Sequence, residues 1–267
     1  MTFPGGLADA RIGAVHLSVT DLGRSLGFYR DLLGLAASHT AGEAQLAAPD
    51  GMTLLRLTER PGLGAPSQGP GLFHFALLVP SRRELARALL GFERAGWPLQ
   101  GTADHAVSES LYLADPDGHG IEIYADRPRE AWRKVGGEVR MVTEPLDVAG
   151  LLAEMGGAPG ATWRGLPAGT VMGHVHLRVR DLDEAERFLA GVLGLEVTVR
   201  GYPGARFFAA GGYHHHVGAN TWWLRGSGEG GTGRVGLEAF ELLVPVPGQE
   251  FRLPAPDGPY SVIVRPM

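Results

Sequence analysis

Three residues able to bind metal or move protons interrupt segments that are otherwise apolar. His16 lies between Val15 and Leu17 in "VHLSV", His74 between Phe73 and Phe75 in "FHFALLVP", and Glu122 between Ile121 and Ile123 in "GIEIY". An ionised carboxylate buried without a partner costs several kcal/mol, so Glu122 needs company. A single histidine in a strand is more often a hydrogen-bonded core residue than a ligand. Two imidazoles and one carboxylate together are different. They form the facial set that holds Fe(II) and leaves coordination positions open. Such a site suits a substrate that chelates through two oxygens, together with O2. A second concentration of imidazoles is His214, His215 and His216 in "GGYHHHVGANTWW", three of only ten histidines in the chain. In a regular strand neighbouring side chains alternate faces, so these three cannot share one ion.

The elements that carry these residues repeat. "AVHLSVTDLGRSLGFYRDLLGLA" from Ala14 matches "HVHLRVRDLDEAERFLAGVLGLE" from His174 without a gap, with about ten of the first twenty-two pairs identical at an offset of 160 residues. So long a period indicates two homologous domains rather than a solenoid. Each copy opens on an alternating strand. Asp21 and Asp181 then offer N-caps for a helix, over about 22–33 in the first copy, and Gly34 and Gly194 end the helices. Within the first copy the grammar recurs. "FHFALLVP" leads to a helix with Ser81 as N-cap and Glu84 three residues on, then to strands ending in "HGIEIYADRP". His16 and His74 therefore open two equivalent modules and Glu122 closes the second. A pseudo-twofold between the modules would bring the three into one cleft. Residues 11–127 read as a first domain, 128–171 as a linker with a short helix near Leu146 to Met155, and 172–267 as a second domain. The last module of that second domain has no room for its helix.

Bulk properties narrow the function. The length of 267 residues suits two domains, and 44% hydrophobic content supplies their cores. A net charge of -5 leaves no electrostatic footprint for nucleic acid. No apolar run is long enough to span a bilayer, and "MTFPGGLADARIG" lacks the pattern of a signal peptide. The absence of cysteine excludes disulfides and thiolate ligands and fits a cytoplasmic protein.

The chain resembles the vicinal oxygen chelate superfamily, which includes glyoxalases and extradiol dioxygenases. The likeness covers most of 11–127 and 172–267, and "DHAVSESLYLADPDGHGIEIYADRP" and "GGYHHHVGANTW" carry it most clearly. More narrowly it is similar to two-domain, catechol-2,3-dioxygenase-like proteins. The resemblance implies an α+β fold of tandem paired βαβββ modules, with the last module truncated. It implies metal ligands at His16, His74 and Glu122. Fe(II) is the metal it favours, with Mn(II), Zn(II) and Ni(II) as alternatives. The implied activity is cleavage of a small aromatic diol by O2. Tyr112, ten residues before Glu122, matches a tyrosine placed near the bound diol, and His105 resembles the acid–base histidine of such enzymes. The spacing from His105 to Tyr112 is two residues longer than in the family pattern. Leu55 stands where glyoxalase I carries a fourth ligand, which favours the dioxygenase over a glyoxalase-like lyase or isomerase. A non-catalytic binding protein of the same fold has no need of the full ligand set.

In the second copy, Ala239 and Val262 stand opposite His74 and Glu122, so that half reads as degenerate. Its remaining polar residues, His176, His216 and Glu241, could form another triad, with His214 or His215 replacing His216 under a shift of register. His119, in a turn, reads as a surface residue. Unpaired edge strands in the truncated module would favour a homodimer.

Overall fold

The structure, a computed structural model, describes residues 7–156, 163–222, 224, 233–245 and 247–267. Part of the linker reading (157–162), the start of the chain and Trp223 of the histidine motif lie outside the described residues.

Four modules follow one another. The first comprises β1 (Arg11–Val19), α1 (Leu22–Leu26), β2 (Ala36–Thr40), β3 (Glu43–Ala47) and β4 (Thr53–Glu59). The second comprises β5 (Gly71–Leu78), α2 (Arg82–Ala95), β6 (Leu99–Asp104), β7 (Ser108–Ala114) and β8 (Gly120–Asp126). A connector carries the two short strands β9 (Lys134–Val135) and β10 (Glu138–Val139) and the helix α3 (Val148–Ala153). The third module comprises β11 (Val171–Arg178), α4 (Leu182–Glu186), β12 (Glu196–Val199), β13 (Ala205–Ala209) and β14 (Val217–Asn220). The fourth has β15 (Leu237–Val244), β16 (Phe251–Pro254) and β17 (Ser261–Pro266), with no helix among its described residues.

Caps and helix ends follow the sequence reading with one change. Asp21 accepts from the Arg24 amide, Asp181 from those of Asp183 and Glu184, and Ser81 from that of Glu84. The helix over 22–33, however, widens to a π-turn at Gly27–Leu32, where the Leu33 amide donates to the Phe28 carbonyl. The second copy repeats this at Arg187–Val192, with Leu193 donating to Phe188. A bond reaching five residues back is what accommodates the additional residue.

The modules do not pair in chain order. One sheet runs β16-β17-β15-β1-β4-β3-β2 and the other β12-β13-β14-β11-β5-β8-β7-β6. The first module thus joins the fourth, and the second joins the third. β1 runs antiparallel to β15 with His16 opposite Ala239, and β5 runs antiparallel to β11 with His74 opposite His176. One continuous buried cluster spans both sheets, drawing Leu17 and Phe240 from one and Phe75, Ile123 and Val175 from the other. Residues 11–127 are therefore a repeat unit of sequence whose two modules hydrogen-bond into different sheets.

The connector also departs from a plain linker. Asp104 and Glu144 exchange amide–carbonyl bonds of 2.8 and 2.9 Å, and the Val142 amide donates to the His105 carbonyl. This fastens residues 141–144 to the edge of the second sheet. His119, expected at the surface, is 1% exposed. Its Nδ1 lies 2.9 Å from Asp115 Oδ2, and Asp115 Oδ1 accepts from the amides of Asp117, Gly118 and His119. The turn that leads into β8 and Glu122 is thereby fixed.

Candidate metal centre and substrate cavity

Sheet pairing decides which polar residues meet. On β5, His74 places its Nε2 2.9 Å from Glu122 Oε2. On β11, His174 places its own Nε2 3.2 Å from the same oxygen. His74, Glu122 and His174 are all buried, and their ligand atoms lie within 4.8 Å of one another. The other oxygen of Glu122 accepts from the Ser110 hydroxyl at 2.5 Å. His74 Nε2 approaches Glu122 without hydrogen-bond alignment and has no other polar partner. His176 Nε2, on the same face of β11, is likewise buried without a partner. Buried polar atoms left in this state are rare in a native structure and call for an unseen ligand. Two imidazoles and a carboxylate with an oriented outer oxygen fit a divalent metal.

His16 does not belong to this group. It lies in the other sheet, where its Nε2 is 3.1 Å from Glu241 Oε1, and Arg265 reaches the same oxygen at 3.2 Å. Burial would raise the Glu241 carboxyl, but His16 and the backbone amide of Ala14, joined by Arg265, hold it below its ordinary value. The expected meeting of His16, His74 and Glu122 therefore gives way to one of His74, Glu122 and His174.

The second candidate triad is also dispersed. Glu241 serves His16, while His176 stands beside His74 in the opposite sheet with ring centroids 5.0 Å apart. His216 Nδ1 accepts from the Ala210 amide and its ring lies against Tyr213. His214 to His216 form an irregular approach to β14 rather than a strand, so their side chains do not alternate. His215 enters the cavity over His74, Glu122 and His174; its ring centroid is 4.1 Å from that of His174.

A cavity of about 500 Å³ opens over the three ligands. Phe73, Phe207, Tyr202 and Trp222 supply flat apolar walls, and Met141 and Val142 of the connector close one side. Tyr112 is opposite Glu122 on the neighbouring strand. Its hydroxyl lies 2.6 Å from His105 Nε2, and His105 Nδ1 lies 2.6 Å from the Val142 carbonyl. A carbonyl only accepts, so the His105 proton sits on Nδ1 and Tyr112 donates to Nε2. The sequence-predicted pair is thus assembled despite its longer spacing. Burial, reinforced by Glu122, pushes the Tyr112 hydroxyl well above its ordinary value.

Electrostatics favour neutral imidazoles here. Burial lowers His174 and His216 from 6.5 to about 4 each, against an opposing pull from Glu122 on His174 and Asp126 on His216. Burial would raise Glu122, but the flanking His174 and His74 hold it well below the carboxylate range. The folded protein therefore refuses protons that the unfolded chain accepts between pH 6.5 and about 4. This stability is complete above the unfolded-state value and declines as pH falls through that window, by up to about 3 kcal/mol for each of the two histidines. Urea unfolding of metal-free protein is expected to show a lower midpoint at pH 5 than at pH 7.5. An unchanged midpoint would contradict the buried neutral state.

Sequence reasoning missed His174 and His215. His174 and His176 are two residues apart on one strand and so share a face, a signal present in "MGHVHLRV". Two glycines mark the same place. A Cβ on Gly173 would overlap the Tyr124 hydroxyl, and one on Gly218 would come within 2.8 Å of the His176 ring.

Comparison with known proteins gives the family. The family model described as Glyoxalase/Bleomycin resistance protein/Dioxygenase superfamily matches residues 11–123 and 171–227. A protein of Bacillus subtilis (strain 168) named catechol-2,3-dioxygenase is 43% identical over 243 residues, covering 89% of this chain and 84% of that protein. Among solved structures, a putative dioxygenase from the same species superposes with a TM-score of 0.63 at 14% identity, covering 96% of this chain and 85% of that one. Glyoxalase I from Zea mays gives 0.55 at 15% identity, covering 96% and 92%. At these identities the structural likeness speaks for the fold alone. The family match and the close relative together establish that the chain belongs to the glyoxalase/bleomycin resistance protein/dioxygenase superfamily.

Proposed function

We propose that the protein is a metal-dependent extradiol-type dioxygenase acting on a catechol-like aromatic diol. The observation that carries this reading is the convergence of His74, Glu122 and His174 beneath a cavity with aromatic walls and a Tyr112–His105 pair at its edge. The identity to a catechol-2,3-dioxygenase supports it. His74, Glu122 and His174 would hold Fe(II), which would supply Lewis acidity toward the diol oxygens and a one-electron path to O2. The chain's own residues do the rest. The aromatic walls orient a planar ring and exclude water. Tyr112, its proton already directed to His105, can accept a hydrogen bond from a substrate hydroxyl and relay that proton to His105 Nε2. The glyoxalase-like alternative expects a further carboxylate ligand. The closing strand of the third module, β14, is Val-Gly-Ala-Asn and offers none.

The test is direct. Protein loaded anaerobically with Fe(II) and exposed to air with catechols should give a yellow ring-fission product. Bound iron with no product across a broad panel of diols would overturn the reading. Tyr112→Phe and His105→Ala are expected to lower kcat by roughly 10²-fold or more while iron content stays unchanged.

A further inference from the structure

The triple histidine holds a relay that the metal ligands do not use. His215 Nδ1 lies 2.7 Å from His214 Nδ1, and His214 Nε2 lies 2.9 Å from Asp126 Oδ1. Asp126 ends β8, the strand that carries Glu122. Its other oxygen accepts from the Tyr213 hydroxyl at 2.9 Å, and Tyr124 donates in turn to Tyr213 at 2.7 Å. The Asp126 carboxylate accepts, so His214 Nε2 donates to it and carries the ring proton. Its Nδ1 is then a lone pair, and the contact with His215 requires a proton on His215 Nδ1. That leaves His215 Nε2 unprotonated, with no hydrogen-bond partner among the described residues. The rings cannot readily turn away. His214 is fully buried between Tyr213, at 4.1 Å, and Trp132, at 5.1 Å, and His215 is held by Phe207 at 4.9 Å.

We propose that Asp126 and His214 are positioning residues that fix His215 in its Nδ1–H tautomer, so that His215 presents a bare Nε2 as hydrogen-bond acceptor to a hydroxyl of the aromatic diol. The part played toward the diol rests on the function proposed above; the tautomer does not. A tautomer fixed by an acidic partner is the means by which enzymes orient an imidazole for proton transfer. The chain of contacts also explains why two adjacent histidines are needed. One faces the cavity, and the other transmits the choice made by a carboxylate that cannot itself reach it.

The test reads the tautomers first. In protein labelled with 15N-histidine at pH 7.5, both metal-free and loaded with diamagnetic Zn(II), two-bond nitrogen–proton correlations distinguish Nδ1–H from Nε2–H imidazoles. His214 is expected as Nε2–H and His215 as Nδ1–H, the form that free histidine disfavours. Asp126→Ala should return His215 to Nε2–H, and Asp126→Glu should restore the native pattern. In the iron-loaded enzyme, Asp126→Ala should lower kcat roughly 100-fold with KM little changed, as loss of an acid–base group does. Finding His215 as Nε2–H in the wild type, or unchanged in Asp126→Ala, overturns the proposal. Should Asp126→Ala fail to fold, the wild-type spectrum decides alone. If no diol is cleaved, the kinetic comparison falls with the proposed function while the tautomer result still stands.

Discussion

Replacing His174 by alanine is expected to remove bound iron and diol cleavage together, whereas replacing His16 leaves both in place. His174 Nε2 shares Glu122 Oε2 with His74, and removing it takes away one of the three donors that lie within 4.8 Å of one another. Loss of an outer hydrogen-bond partner alone costs about 10–100-fold in metal affinity, so loss of a ligand should exceed roughly 100-fold. Near neutral pH His174 is held uncharged by burial and is ready to bind metal without first losing a proton. His16 sits in the other sheet with Glu241 and Arg265, and its removal leaves that carboxylate its arginine. Metal content measured on the two variants side by side checks the claim. Iron retained in His174→Ala would show that His174 is not a ligand, and iron lost in His16→Ala would reinstate the ligand set inferred from the repeat.

The second large effect concerns Gly173. A methyl group there would overlap the Tyr124 hydroxyl, which is fully buried and bonded to Tyr213. Tyr124 also packs against the His174 ring at 4.9 Å and against His214 at 6.2 Å. The tyrosine has nowhere to retreat without breaking its hydrogen bond or displacing an imidazole. Overpacking of this kind costs about 1–3 kcal/mol, and stranding a buried hydroxyl adds to it. For Gly173→Ala, a fall of about 3 kcal/mol corresponds to a drop in Tm of roughly 6–12 °C. Iron affinity should fall with it, because His174 is the adjacent residue. A thermal melt within about 2 °C of wild type would show that β11 and β8 separate at lower cost than their packing indicates.

What could be read from the sequence and what could not differ in physical kind. Strands, caps and the internal repeat are local, and they were read correctly from Asp21, Asp181, Ser81 and the alternation around His16 and His176. Glu122, His74, Tyr112 and His105 could be picked out because each interrupts an apolar strand or keeps a recognisable spacing, and the structure gathers all four around one cavity. Which module pairs with which is non-local. The opening strands β1, β5, β11 and β15 are all apolar, and nothing along the chain states whether β5 hydrogen-bonds to β1 or to β11. The choice of His16 followed from assuming neighbours in sequence pair in space. His174 is unmarked by the repeat because its counterpart in the first copy is Ala14. The irregular path of His214 to His216 is unmarked in the sequence for a similar reason, since partners distant along the chain, among them Asp126 and Thr198, shape it.

The exchange of partners between the two halves has a bearing on how the protein comes into being. His74 and Glu122 leave the ribosome well before His174, some fifty residues after Glu122 and beyond the connector. At about 5–20 residues per second, the nascent chain spends several seconds with β1 and β5 made and neither permanent neighbour yet available. During that interval two apolar strand edges are open, and the pairing suggested by sequence order, β1 with β5, competes with the correct one. The pocket around His74, Glu122 and His174 is consequently a product of late assembly. It forms only when the third module arrives to claim β5, and the first module must wait longer still, for the last strands of the chain.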